Sequence, residues 1–212
     1  MNYLISIFLG YFFGSIPSAY LIVKFFHNKN ITITGSGNVG ALNSYEVTNS
    51  KLIGLVVFVL DFIKGLIPVL IFNIFIDDKF NLLLNTALFA VLGHCFSIFL
   101  KFKGGRGLST AAGALITIAP SIFVVWGIIW SISYIYKRHI HFANSAASLL
   151  TAILAFTAKN ALIKFTFPYS GSNLEFSIYI ALIMLIIIIK HYQPLKEYFS
   201  PVNNSEVKDE QN

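Results

Sequence analysis

Long apolar runs, separated by short polar loops, constrain this chain more than any other feature. Stretches at about 2–23, 52–76, 82–100, 108–119, 121–136, 142–158 and 176–189 carry almost no charge. A helix perpendicular to a bilayer needs roughly 20 residues to cross the hydrocarbon, so the first three are long enough outright. The last four need tilt, polar ends or local thinning. Hydrophobic residues make up 56% of the chain and charged residues only 11%, against about a quarter charged in a soluble domain. A water-soluble fold of 212 residues cannot hide that much apolar surface. The bilayer has to be the solvent.

The chain therefore reads as all-α, a polytopic membrane helix bundle of about seven transmembrane helices. Residues 1–194 form one integral-membrane domain and 195–212 a polar tail. The segment from Met1 to Val23 reads as a retained first span, because no basic residue precedes its apolar run and no small-residue cleavage pattern follows. Charge sets the orientation. Taking Pro120 as the break between two crossings puts eleven of the 15 Lys and Arg residues in loops on one side. Positive loops stay inside, so the N-terminus is expected outside and the tail in the cytoplasm, in the cell (plasma) membrane. A bundle of five full crossings, with short segments lying in the interface, is the alternative.

Several chemistries are disfavoured early. Cys95 is the sole cysteine, which removes an internal disulfide or a thiolate metal cage. The five histidines lack the H-E-x-x-H spacing of a helix-borne zinc site. The net charge of +6 sits in short loops between spans, so no nucleic-acid partner is expected. No cofactor or metal is called for.

Three loop regions hold residues that membrane insertion does not require. Gly35-Ser36-Gly37-Asn38-Val39-Gly40-Ala41-Leu42-Asn43 places glycines where backbone N–H groups can converge on an anion; a flexible linker is the plainer reading. Lys101-Phe102-Lys103-Gly104-Gly105-Arg106-Gly107, followed by Ser109 and Thr110, is a cationic glycine loop opening into a helix, suited to phosphate. A positive-inside anchor would not need its glycines. Ser145 and Ser148 lie among alanines and read first as helix-packing residues. His191 follows an apolar run and reads as an interface residue. Asp61 and Lys64, three residues apart inside a span, can pair; with His94 they leave a small transporter open.

The ordered segments GSIPSAYLI (14–22), GSGNVGALN (35–43), LDFIKG (60–65), GH…FLKFKGGRG (93–107) and a late Lys190-His191 resemble the acyl-phosphate-dependent glycerol-3-phosphate acyltransferases (PlsY family), from about residue 10 to 150. The resemblance implies a compact seven-helix bundle with a cytoplasmic site that moves an acyl group from acyl phosphate to glycerol 3-phosphate, giving lysophosphatidic acid for phospholipid synthesis, with membrane lipids around it. It implies catalytic roles for Ser36 and His191. It also implies phosphate or substrate binding by Gly37, Asn38, Lys103, Gly104, Gly105, Arg106 and Gly107, with Ser145 and Ser148 as further substrate-binding serines. The chain departs from the family at Glu46, where an arginine is usual, and at Pro194, where an asparagine is usual. Arg106 stands for a lysine, and the later Gly-x-Glu is missing. A paralogue that binds lipid or phosphate without turnover is the competing class. Acyl-CoA-type enzymes place Asp five residues after His; here those positions hold Thr32, Phe99, Asn144, Ala146 and Lys196.

Overall fold

The computed structural model describes residues 1–169 and 173–200. These form ten α-helices: α1 (Asn2–Ser15), α2 (Ser18–His27), α3 (Ala41–Thr48), α4 (Lys51–Phe75), α5 (Phe80–Cys95), α6 (Leu108–Leu115), α7 (Pro120–Lys137), α8 (Ile140–Thr157), α9 (Lys159–Leu162) and α10 (Asn173–Phe199). Among the described residues there is no named strand. Five spans are long and apolar enough to cross a membrane: Asn2–His27, Lys51–Phe75, Phe80–Leu100, Ile140–Thr157 and Asn173–Phe199. Apolar stretches 108–119 and 121–136 fold as the eight-residue α6 and the 18-residue α7. Pro120 opens α7 at its first turn, where the missing N–H costs nothing.

The helices are apolar on the outside. Leu52, Leu55 and Val59 on α4, and Ile178, Leu182, Leu185 and Ile189 on α10, follow helical spacing and are exposed. Inside, small and polar residues let backbones approach. α1 packs on α5, and there a methyl group on Gly14 would run into the Ala90 carbonyl, while one on Gly93 would meet Tyr11 and Ser15 backbone. α4 packs on α6 in the same way, through Gly65 and Gly113.

Polar contacts tie the bundle's two ends. At one end Asn2 Nδ2 donates to Asp77 Oδ2 at 2.9 Å, Asn81 Nδ2 to the Tyr3 hydroxyl at 2.6 Å, and Phe80 stacks on Phe176 with ring centroids 6.3 Å apart. At the other, Lys29 Nζ donates to the Val47 carbonyl at 2.7 Å, and His139 stacks on Tyr198 with centroids 3.8 Å apart. That second contact revises the expected tail. α10 continues through Pro194 to Phe199, so 195–199 are helical and packed against the α7–α8 turn. The rest of the tail, 201–212, lies outside the described residues.

The break between α1 and α2 falls at Ile16-Pro17. Proline lacks the N–H that would continue the ladder and disfavours helix before it. The freed Ile16 carbonyl accepts a hydrogen bond from Lys64 Nζ at 2.9 Å. Lys64 also pairs with Asp61 at 2.7 Å, and His94 Nδ1 lies 3.7 Å from the same carboxylate. The ion pair expected inside α4 forms, and it fastens α4 to the kink and to α5.

Candidate active site

The first loop is organised by one buried side chain. Asn43 is 1% exposed. Its Oδ1 accepts the Ser36 N–H at 3.0 Å, and its Nδ2 donates to the carbonyls of Thr34 at 3.1 Å and Asn38 at 2.8 Å. Gly35 and Gly37 take φ of +62° and +69°, which a side chain would resist. Asn43 is the hub of this loop through the partners its amide reaches, a role set by the fold.

The second loop is built on the end of α5, whose last carbonyls have no partner within the helix. Each finds a different one. His94 O accepts the Gly105 N–H at 3.1 Å, Cys95 O accepts from Lys190 Nζ at 3.1 Å, and Phe96 O from the Tyr11 hydroxyl at 2.8 Å. Gly105 faces the His94 ring and the Val39 carbonyl so closely that a Cβ would overlap both. The glycine thus joins the second loop to the first, which an anchor sequence would not require. Gly107 turns the chain into α6 with φ of +87°.

Beside these loops lies a cavity of about 460 Å³. Its polar wall includes Asn38, Asp61, His94, Arg106, His141, Asn144 and His191; its apolar wall includes Phe58, Leu115, Ile122, Phe123, Trp126 and Met184. Of the residues singled out from sequence, Asn38, Asp61, His94, Arg106, Gly107, Ser109 and His191 line it. Ser36, Gly37, Lys103, Gly104, Gly105, Ser145 and Ser148 are not part of its wall. Ser36 and Lys103 are exposed on the adjoining loops. Gly104 and Gly105 pack under the cavity against α5. Ser148 accepts from Trp126 Nε1 at 3.1 Å, holding a wall residue. Ser145 Oγ is buried with no hydrogen-bond partner among the described residues.

Arg106 is the cation at the cavity's polar end. Its Nη1 donates to His141 Nε2 at 3.4 Å. Burial pushes its guanidinium below the ordinary arginine range, while Glu46 and Glu197 pull it back; it remains a cation, as arginine does. Glu46, the acidic departure in the first motif, thus acts on Arg106. His191 has both ring nitrogens engaged. Nδ1 meets the Ile187 carbonyl at 2.8 Å and Nε2 meets Asn144 Nδ2 at 3.0 Å. His141, Asn144 and Trp130 were not singled out from sequence. Their signal is three-dimensional: α8 brings His141 and Asn144 to α10, and α7 brings Trp130 to Asn144.

The family model for glycerol-3-phosphate acyltransferase matches residues 4–200. The chain belongs to the glycerol-3-phosphate acyltransferase family. It is similar to the glycerol-3-phosphate acyltransferase of Listeria welshimeri, 36% identical over 73% of this chain and 78% of that relative. The relative from Endomicrobium trichonymphae, with the same name, is 30% identical over 95% of this chain and 94% of its own. Among solved structures, PlsY, an integral membrane glycerol 3-phosphate acyltransferase, matches in its glycerol 3-phosphate form with a TM-score of 0.77 and 29% identity, over 98% of both chains. Its lysophosphatidic acid form matches with a TM-score of 0.75. The family match thus extends past residue 150, where the sequence motifs thin, to residue 200.

Proposed function

We propose that this chain transfers a fatty acyl group from an acyl phosphate to glycerol 3-phosphate, yielding lysophosphatidic acid. The acyl transfer to glycerol 3-phosphate carries over from the family's named members and their two ligand forms; the acyl-phosphate donor is our reading of the motifs. One observation carries it: a single cavity joins a cationic, glycine-built end at Arg106 and Gly107 to a long apolar wall. The first suits phosphate and the second suits a hydrocarbon chain.

An acyl phosphate is a mixed anhydride with phosphate as leaving group, so no protein nucleophile is required. The tasks are to neutralise phosphate and align the acceptor hydroxyl with the acyl carbon. Arg106 and the loop N–H groups serve the first task. Asn38 and the α8–α10 amide and imidazole serve the second. The hydroxyl proton passes to the departing phosphate. Ser36, Gly37 and Lys103, on the adjoining loops, are proposed to meet the substrate's outer phosphate, and Ser145 and Ser148 to shape the wall behind it.

Orientation and helix count are part of the same proposal. Seven passes, with the N-terminus outside and the site facing the cytoplasm, are supported by how charge divides between the ends. The end holding Asn2, Asp77 and Phe176 has few cations. The end holding Lys29, Lys51, Arg106, Arg138 and Lys190 has most of them, as an inner face does.

The test is direct. Purified chain in lipid nanodiscs receives acyl phosphate and labelled glycerol 3-phosphate. Labelled lysophosphatidic acid, with phosphate released one for one, is expected. Absence of product with acyl phosphate, alongside product with acyl-CoA, would overturn the donor assignment.

A further inference from the structure

The cavity wall contains one amide whose orientation is fixed from both sides. Trp130 Nε1, which can only donate, gives its hydrogen to Asn144 Oδ1 at 2.6 Å. The Ile187 carbonyl, which can only accept, takes the hydrogen of His191 Nδ1 at 2.8 Å. In neutral His191, Nε2 is then an acceptor, and it faces Asn144 Nδ2 at 3.0 Å. Three hydrogen bonds run donor to acceptor in one direction from Trp130 through Asn144 and His191 to Ile187. Reversing the amide would set N–H against the Trp130 N–H and oxygen against the His191 lone pair. The arrangement admits one amide orientation.

An amide nitrogen has two hydrogens, and His191 takes one of them. Asn144 makes no other donation among the described residues, yet it is 6% exposed and lines the cavity. A buried N–H without a partner is costly. Here it sits in the same wall as Arg106, where a phosphate or carbonyl oxygen would satisfy it. We infer that Asn144 is a substrate-contacting residue, donating its second amide hydrogen to an oxygen of the bound acyl phosphate or glycerol 3-phosphate, with Trp130 and His191 as the positioning residues that aim it. His191 on this account does not exchange a proton with substrate; it holds the donor. The assignment rests on the acyltransfer reading for the identity of the oxygen, and on the hydrogen-bond directions for everything else.

Two measurements test it independently. With acyl phosphate and labelled glycerol 3-phosphate, Asn144→Ala is expected to lose roughly 10- to 100-fold in kcat/KM, the worth of one hydrogen bond to a charged group. Asn144→Asp keeps the size but replaces the donor by an anion, and is expected to lose more than alanine does. A packing role predicts the opposite order, with the near-isosteric Asp the better tolerated. Trp130→Phe, which keeps a ring but not the N–H, is expected to fall between wild type and Asn144→Ala with little change in melting temperature. The second measurement needs no turnover: calorimetric binding of inorganic phosphate to wild type and to Asn144→Ala. Weaker binding by the variant supports the donor role even if wild type forms no lysophosphatidic acid, an outcome that would count against the acyltransfer reading alone. Equal phosphate affinity, together with Asn144→Asp as active as wild type or more active than Asn144→Ala, overturns the inference.

Discussion

At the residue scale, Arg106 in the cavity wall feels the opposite charge of the exposed Glu46 carboxylate. Arg106 stands where the family has lysine, and keeps the charge while adding a planar, forked donor set. Arg106→Ala should lower kcat/KM roughly 10- to 100-fold through loss of a charge-assisted contact, whereas Arg106→Lys should retain most of the activity; initial rates over a range of glycerol 3-phosphate concentrations read both. Glu46 is exposed, so solvent weakens its pull on Arg106. Glu46→Gln should therefore lower KM for glycerol 3-phosphate only about two- to five-fold, with kcat little changed, and the gain should shrink as salt is added. A rise in KM would mean that Glu46 contacts substrate favourably. The sequence exposed both residues as candidates because motif position and charge are one-dimensional facts. It could not expose Asn144 or Asn43, whose importance lies in which partners their amides reach.

At the element scale, the glycine loops work because helix ends hold them. The end of α5 presents three carbonyls to three separate partners, from the second loop, α10 and α1. Anything that shifts α5 along α1 shifts the floor of the cavity. Gly93→Leu inserts a side chain where Tyr11 and Ser15 backbone already sit. Overpacking of this kind costs about 1–3 kcal/mol, and more where backbone must move. The expected result is a lower melting temperature in nanodiscs and a loss of activity, although Gly93 is not part of the cavity wall. Gly127, with nothing within 4 Å of an added Cβ, is the control: Gly127→Ala should leave both unchanged. Helical periods and the Pro120 break were legible from residue types alone. The division of the first apolar run at Pro17 was not, because the run stays apolar on both sides and only the Ile16 carbonyl's distant partner gives the kink its purpose.

At the scale of the whole molecule, the fold gathers residues 38, 61, 94, 106, 141, 144 and 191 around one cavity. The bundle class was readable from composition, and the loops near the site from glycine and charge patterns. The extension of α10 past Pro194 was not, since proline and a polar run together read as the end of a helix; packing of Tyr198 on His139 overrides that local preference. The proposed orientation has its own check. Cys95 is buried, so single cysteines can be labelled against a quiet background. Asp78→Cys should react with an impermeant maleimide added outside intact cells, and Lys137→Cys only after permeabilisation; the reverse pattern would invert the topology.

The Asp61–Lys64 pair bears on how such a bundle is assembled. Both charges ride on α4, one turn apart and 2.7 Å from each other, so each can neutralise the other before any neighbouring helix arrives. A lone carboxylate or ammonium at that depth would penalise entry into lipid by roughly 2.5–3.5 kcal/mol. Carried as a zwitterion, α4 can leave the translocon on its own hydrophobicity. In the folded protein Lys64 also reaches the Ile16 carbonyl, so the pair that spares α4 a lone charge in lipid doubles as a clasp to the Pro17 kink.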